Sequence, residues 1–308
     1  MKHTGNNINT NPLVSFIVLT YNQAQFVTET LSGALSQDYE NLEIIVSDDA
    51  SEDNTYEVIQ QYVTEHPSNK KVIINRNKKN MGLVPHFNYV INQLTHGEIL
   101  VLAGGDDISL PNRVTDSVEV FIENPSIVAV TGQALIIDKN SEVTGIFNGA
   151  EPGVYTLDDA YIKSTSFMSG GRGPAYRKEM VWNRFGELHP LCPTEDSTLR
   201  LRTLLCGQII VLDKYFIKYR IHGNNMSLGQ NMYKLKTKEI ARQYLRDLNV
   251  AQELSLQPIE QIKRIRKKVR LYYYDRQLSY LQSKVENRYV WYPFKIMQKV
   301  IKGIAKKI

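Results

Sequence analysis

Three short clusters hold residues whose types and spacing suit chemistry: Thr20-Tyr21-Asn22, Asp48-Asp49-Ala50-Ser51 and Gly104-Gly105-Asp106-Asp107, each directly after an apolar run. In an open α/β sheet, ligands bind beyond the carboxyl ends of the strands, so these are the positions to inspect. An aromatic such as Tyr21 can stack on a nucleobase, and a carboxylate can accept the imide N3–H of uracil or thymine. Asp49 is the candidate acceptor. Asp106 and Asp107 offer hard oxygen ligands to magnesium or manganese, which would bridge two phosphates and neutralise a leaving diphosphate. Any one cluster alone could simply cap the helix that follows it. Three of them at successive strand ends favour a site.

The elements that would position these clusters are short β-rich runs alternating with longer amphipathic stretches, the pattern of a parallel sheet with helical crossovers. The spacing predicts strands at Val14 to Thr20, Leu42 to Ser47, Lys71 to Asn75, Ile99 to Ala103 and Ile127 to Ile137. Apolar residues at helical intervals predict helices at Ala24 to Ser36, Asn54 to Glu65, Val84 to Leu94 and Pro111 to Ile122. Pro111 suits the first helical position, and Gly82 starts a helix after a turn. Residues 139 to 229 mix turn-rich sequence with a helix near 195 to 206 and strands near 209 to 220, completing the same domain. Beyond Gly229 the chain reads as helices rich in Lys, Arg and Tyr, which places a domain boundary there. The expectation is an α/β domain over 1–229 and a basic helical region over 230–308.

With 308 residues and 42% hydrophobic content, the chain can bury a real core, which excludes disordered and collagen-like classes. No apolar run approaches the roughly 18 residues that cross a bilayer, and the polar start has no signal-peptide order, so a cytoplasmic location is expected. Cys192 and Cys206 lack CxxC spacing, which argues against a disulfide framework or a cysteine zinc site. Residues 230–308 hold 19 Lys and Arg against 6 Asp and Glu, while residues 1–229 hold 18 against 26. An acidic body with a basic tail suggests that the tail meets an anionic surface. Phe294, Met297, Ile301, Ile304 and Ile308 recur every three or four residues, with Lys295, Lys299, Lys302 and Lys306 on another face and Trp291 and Tyr292 just before. That combination reads as a helix lying on anionic lipid at the inner face of the cell membrane, or else docked on the protein with its lysines in water.

The runs Val14-Ser15-Phe16-Ile17-Val18-Leu19-Thr20-Tyr21-Asn22, Leu35-Ser36-Gln37 and Ile44-Ile45-Val46-Ser47-Asp48-Asp49-Ala50-Ser51 resemble the opening signature of the family 2 inverting glycosyltransferases. The likeness spans about residues 13 to 228. It implies the GT-A fold, a doubly wound, mostly parallel sheet, with nucleotide-sugar binding over about 13–138 and an acceptor side over about 139–229. It also implies a UDP- or dTDP-sugar donor and a divalent metal. By that resemblance Thr20, Tyr21, Asn22 and Asp49 form the nucleotide site, with Tyr21 and Asp49 at the base. Arg76 lies near base or phosphate, Asp106 approaches the ribose and Asp107 binds the metal. The commoner family form has an Asp where Gly104 stands here.

Thr194-Glu195-Asp196-Ser197 is similar to the family segment that holds the catalytic base, which would be Asp196. Without the family, this pair reads as an ordinary helix start. An inverting transfer needs such a base, because the attacking hydroxyl must lose its proton. Glu195 alongside could raise the pKa of its neighbour. Tyr219 to Ser227 is similar to the closing segment, in which Arg220 or His222 could meet the diphosphate and His222 the metal. Gly170, Gly171 and Gly173 could let backbone approach the donor sugar or acceptor, although an ordinary turn explains them nearly as well. The acceptor implied by analogy with bacterial members is a lipid-linked saccharide. A nucleotidyltransferase could also use paired aspartates, but neither a Walker P-loop nor a GxGxxG run is present. A nucleic-acid binder would leave the acidic strand ends unexplained, so no nucleic acid is expected as a partner.

Overall fold

The apolar run Val14–Thr20 forms β1, with Val14, Phe16 and Val18 packed into one core and Ile17 into another on the opposite face. This strict alternation of two buried faces belongs to a central strand covered by helices on both sides. The computed structural model describes residues 10–159, 172–223, 225, 237–283 and 291–306. Parallel to β1 run β2 (Leu42–Asp48) and β4 (Ile99–Gly104), and β3 (Lys71–Arg76) adds beyond β2. The connecting helices are α1 (Val27–Leu35), α2 (Thr55–Glu65) and α3 (Leu83–Gln93).

The chain then adds β5 (Ile108–Ser109), α4 (Arg113–Glu123), β6 (Ile127–Ile137), β7 (Val143–Ile146), β8 (Gly153–Tyr155) and β9 (Arg172–Arg177). A π-helical turn at Glu179–Asn183, helix α5 (Asp196–Cys206) and the long strand β10 (Gln208–Arg220) follow. The sheet order is β3-β2-β1-β4-β9-β6-β10-β5, with β7 on β6 and β8 on β10. Strand β9 runs antiparallel between β4 and β6, whereas β10 is parallel to β6. Since β2 and β4 leave β1 in opposite directions, the strand order reverses at β1 and β4, and the crevice at their carboxyl ends is where such sheets take ligands.

One face of the sheet is covered by α1, α2 and α4 through Leu31, Ile59, Val114 and Phe121. The other is covered by α3 and α5 through Phe87, Ile91, Leu199 and Leu204. Among the described residues, the C-terminal region holds the helices α6 (Thr237–Glu253), α7 (Ile259–Ser283) and α8 (Trp291–Lys306). Ile240, Tyr244 and Leu248 of α6 and Ile262, Ile265 and Val269 of α7 belong to the same core cluster as α5. The hydrophobic core on this face of the sheet therefore continues into α6 and α7. A buried ion pair strengthens the join: Nε and Nη2 of Arg202 on α5 donate to the two carboxylate oxygens of Asp247 on α6 at 3.1 and 3.0 Å.

The five strands expected before residue 138, found as β1–β4 and β6, lie within a residue of their expected ends. Pro111 does not occupy the first helical position: α4 begins at Arg113, and the Pro111 carbonyl accepts the N–H of Asp38 in a turn. Gly82 precedes α3 at φ 81, a conformation that suits glycine, and its N–H donates to Asp49 Oδ2 at 2.9 Å.

Candidate active site

A cavity of about 910 Å³ opens at the carboxyl ends of β1 and β4. Its lining includes Thr20, Tyr21, Asn22 and Asp49 on one side, Asp106, Asp107 and His222 on the floor, and Glu195 and Asp196 on another wall. The three strand-end clusters and the later Glu-Asp pair thus meet in one space.

On the β1–β2 side, the loops are locked by polar side chains. Thr20 Oγ1 donates to Asp48 Oδ1 at 3.2 Å, and the N–H of Asn22 donates to Ser51 Oγ at 2.9 Å. Asn22 and Ala50 both adopt positive φ, 55° and 57°, which folds the two loops sharply around the cavity mouth. Asp49 is almost fully buried, and its carboxylate accepts from Asn77 Nδ2, Met81 N and Gly82 N at 2.7–2.9 Å. These three donors fix its orientation. Tyr21 stands 40% exposed at the mouth, free to meet a flat ligand face.

His86 on α3 also lines this side, with Nε2 2.7 Å from Ser47 Oγ. Burial holds its imidazole below the usual range, against the pull of Asp49 and Asp48. Nothing in the sequence distinguishes it from a core histidine on an amphipathic helix. Arg76 does not line the cavity: it bonds Glu57 at 3.1 Å and the Ser51 carbonyl at 3.2 Å and lies over the Tyr56 ring.

At the floor, the turn after β4 is tightly packed. A Cβ on Gly105 would come within 2.2 Å of Gln23 Oε1, and one on Gly104 within 2.8 Å of Asp106 Oδ1. The Asp106 carboxylate therefore occupies the space beside Gly104. Asp106 Oδ2 lies 3.1 Å from His222 Nε2, and the imidazole is flanked by the Phe26 ring. Asp107 lies deeper, its Oδ1 accepting the backbone N–H of Arg220 at 2.9 Å. Burial and the neighbouring Asp106 push its carboxyl up to about 8, against the opposing pull of that N–H and of Arg172 and Arg113.

Arg220 itself is fully buried and does not line the cavity. Its guanidinium donates to the Asp106 and Asp138 carbonyls, Ser141 Oγ and Glu29 Oε2, at 2.8–3.1 Å. It braces the floor and does not face a ligand.

Among the described residues no group of three His, Cys, Asp or Glu side chains is poised to hold a metal. The Asp106–His222 pair nonetheless fits two adjacent positions around one ion. Octahedral ligands about 2.1 Å from a small divalent cation lie about 3.0 Å apart. A carboxylate with an imidazole also suits manganese, and phosphate oxygens of a ligand would fill other positions.

On the remaining wall, Asp196 begins α5, where its Oδ1 accepts from Thr194 Oγ1 at 2.7 Å and from the Ser197 N–H. Glu195 Oε2 is buried and has no hydrogen-bond partner among the described residues. Burial, with Asp196 adding to it, pushes the Glu195 carboxyl up to about 7. Gly170 and Gly171 lie outside the described residues. Gly173, at φ 65, packs against Ile217 and Arg113 and lines the cavity.

Residues 15–185 match the profile of Glycosyl transferase family 2. The chain belongs to this family. It is 28% identical over 256 residues to an uncharacterized glycosyltransferase of Nostoc sp., covering 77% of this chain and 76% of the relative. Residues 1–349 of TarS from S. aureus, solved with UDP-GlcNAc, share the fold at a TM-score of 0.59 and 17% identity, covering 96% of this chain and 90% of that one. Against the longer TarS structure the chain spans 44% of the length. A mannosyltransferase from Pyrobaculum calidifontis, solved with GDP-Man and Mn2+, gives a TM-score of 0.55 at 15% identity, covering 96% and 87%. The sheet and crevice of this glycosyltransferase are thus those of the GT-A fold.

Proposed function

We propose that this glycosyltransferase moves a sugar, with inversion, from a UDP- or dTDP-sugar to a saccharide hydroxyl. The observation that carries the reading is the convergence of Tyr21 and Asp49, the Asp106–His222 pair and the Glu195–Asp196 pair on one cavity at the β1–β4 crevice. Tyr21 stacks on the base and Asp49 accepts its imide N–H, a pairing uracil and thymine both offer. Thr20 and Asn22 shape the loop beneath the nucleotide. Asp106 and His222 would hold a divalent cation, manganese or magnesium, with Asp107, the ligand the resemblance implies, behind them, where its Oδ1 accepts the Arg220 N–H. A cation bound there would stabilise charge on the departing diphosphate. The solved complexes of UDP-GlcNAc with TarS and of Mn2+ with the mannosyltransferase support a donor site of this kind.

Asp196 is the base that takes the proton from the acceptor hydroxyl as its oxygen attacks the anomeric carbon from the face opposite the diphosphate. Glu195, ionising near neutrality beside it, increases the basicity of the pair once both are charged. No covalent bond between sugar and protein is needed. Incubating purified protein with UDP- and dTDP-sugars and following sugar release distinguishes this reaction from nucleotide transfer. Sugar leaving a nucleoside diphosphate supports it, and nucleotide appearing on the acceptor contradicts it.

Helix α8 suits a lipid-linked acceptor. Ile296, Met297, Val300 and Ile304 stand exposed along one stripe, beside a ridge of exposed Lys295, Lys299 and Lys302. Ile301 is half-buried, and Gln298 on the same side bonds Ser279 of α7. The side chains of Trp291, Tyr292 and Phe294, and Ile308, lie outside the described residues. No described helix is long and apolar enough to cross a membrane. An apolar stripe edged by lysines is the form of a helix resting on anionic lipid, which would hold the enzyme peripherally at the cytoplasmic face of the cell membrane.

A further inference from the structure

Arg172, the first residue of β9, carries a guanidinium that nothing in the donor reading uses. Its Cζ lies 4.3 Å from the Phe147 ring centroid and 4.4 Å from that of Tyr219, and the two rings meet at 72°. The group is wedged in an aromatic corner that fixes its plane. Its backbone carbonyl, anchored by Thr131 Oγ1 at 2.7 Å, fixes the base of the side chain. Among the described residues, Arg172 Nε is buried with no hydrogen-bond partner, and no carboxylate forms an ion pair with the guanidinium. Asp107 feels its charge across the cavity floor without pairing with it. The neighbouring Arg113, by contrast, is fully bonded to Ser109 Oγ and the carbonyls of Leu102, Gly173 and Pro174.

We propose that Arg172 is the receptor for an anionic group, a carboxylate or a phosphate, carried on the saccharide side of the cavity. The inference rests on the donor site proposed above. A guanidinium that lines the cavity, held between two rings in a partly desolvated wall, matches a planar carboxylate or a phosphate, which it binds through paired hydrogen bonds. Sheet order places this anion beyond the diphosphate. Tyr21 and Asp49 sit at the ends of β1 and β2, Asp106 follows β4, and Arg172 begins β9 on the far side of β4, at the level of Gly132 on β6. A nucleotide sugar laid from base to diphosphate along β2, β1 and β4 therefore points its sugar, or the acceptor that meets it, toward Arg172. The carboxylates of Glu195 and Asp196 on the other wall repel an anion, which leaves the Phe147–Tyr219 corner as its place.

The test is calorimetry at saturating manganese on wild type, Arg172→Met and Arg172→Lys. The donor arm compares UDP, UDP-glucose and UDP-glucuronate. The acceptor arm titrates UDP-loaded protein with glucose, glucuronate and glucose 6-phosphate. In one arm, wild type should prefer the anionic probe over its neutral counterpart by about tenfold or more, the size of a charge-assisted hydrogen bond. The arm in which this occurs identifies the anion's carrier. Arg172→Met should abolish the preference, Arg172→Lys should recover only part of it, and UDP affinity should stay within about threefold of wild type in both variants. Loss of UDP binding on Arg172→Met would make the residue a diphosphate contact and overturn the inference. Equal binding of neutral and anionic probes in both arms, with UDP bound normally, would overturn it while leaving the donor site intact. Failure of wild type to bind UDP, dTDP or GDP at all would remove the donor reading itself, and this inference with it.

Discussion

The backbone N–H of Arg220 donates to Oδ1 of Asp107 at 2.9 Å, and the guanidinium of the same residue holds the Asp106 carbonyl at 2.8 Å. One residue of β10 therefore clamps the acidic turn after β4. Arg220→Met removes the side-chain half of that clamp, including the bonds to Glu29 and Ser141. Unfolding in urea should show a loss of at least about 2 kcal/mol, since several charge-assisted hydrogen bonds go at once. The cation affinity of the Asp106–His222 pair should fall with it, although Arg220 touches no ligand.

A second prediction concerns Glu195 and pH. Its carboxyl titrates near 7 in the folded chain, above the usual carboxylate range, because of burial and then of Asp196. Between the unfolded value and about 7 the folded state therefore holds a proton that the unfolded state has lost. Stability from this group declines as pH rises through that window. Thermal unfolding of Glu195→Gln should decline less steeply between pH 5 and 7.5 than that of wild type. If Glu195 and Asp196 act as a pair, the acid limb of kcat/KM should lie near pH 7 and move lower in Glu195→Gln.

Asp196→Asn addresses the base itself. Turnover should fall by about 10² to 10⁴-fold, the usual contribution of a general base, while nucleotide affinity stays close to wild type. Loss of turnover and nucleotide binding together would mean that Asp196 supports the cavity and does not move the proton.

The parts of this design that were legible in sequence are those set by local pattern. Val14–Thr20 and Ile127–Ile137 declare themselves as strands because each is a long β-branched run, and Asp49 stands out because it follows one. Strand β9 was not legible: Arg172–Arg177 reads Arg-Gly-Pro-Ala-Tyr-Arg, too short and mixed to alternate, and it becomes a strand only because β4 and β6 leave a gap between them. The same holds for the site. His86 and Arg172 gain meaning from what the fold brings beside them, Ser47 for one and Phe147 with Tyr219 for the other. The resemblance places Arg76 near base or phosphate and Arg220 near the diphosphate, yet both are engaged by partners far away in sequence or across a loop. The pairing of Asp106 with His222 spans 116 positions, a distance at which spacing carries no signal.

The join between sheet and C-terminal helices gives a further prediction. Arg202 and Asp247 are both almost wholly removed from water, so deleting one partner strands the other's charge. Asp247→Ala should cost about 3–5 kcal/mol in denaturant unfolding. A much smaller loss, with the sheet's unfolding unchanged, would show that α6 contributes little to the stability of the α/β body.

For α8, flotation with vesicles containing anionic lipid should be lost when residues 291–308 are deleted, and should weaken at high salt as the lysines are screened. Flotation that survives the deletion would place the lipid contact elsewhere.

In the proposed reading the β1–β4 crevice binds a nucleoside diphosphate together with a divalent cation held by Asp106 and His222. Calorimetric titration of the full chain with UDP, dTDP and GDP, each with and without manganese, tests it most directly when repeated on Asp106→Ala and His222→Ala. UDP or dTDP should bind with manganese, and either substitution should abolish the manganese dependence in a protein that remains folded. Binding that is indifferent to manganese, or unchanged in both variants, would contradict it.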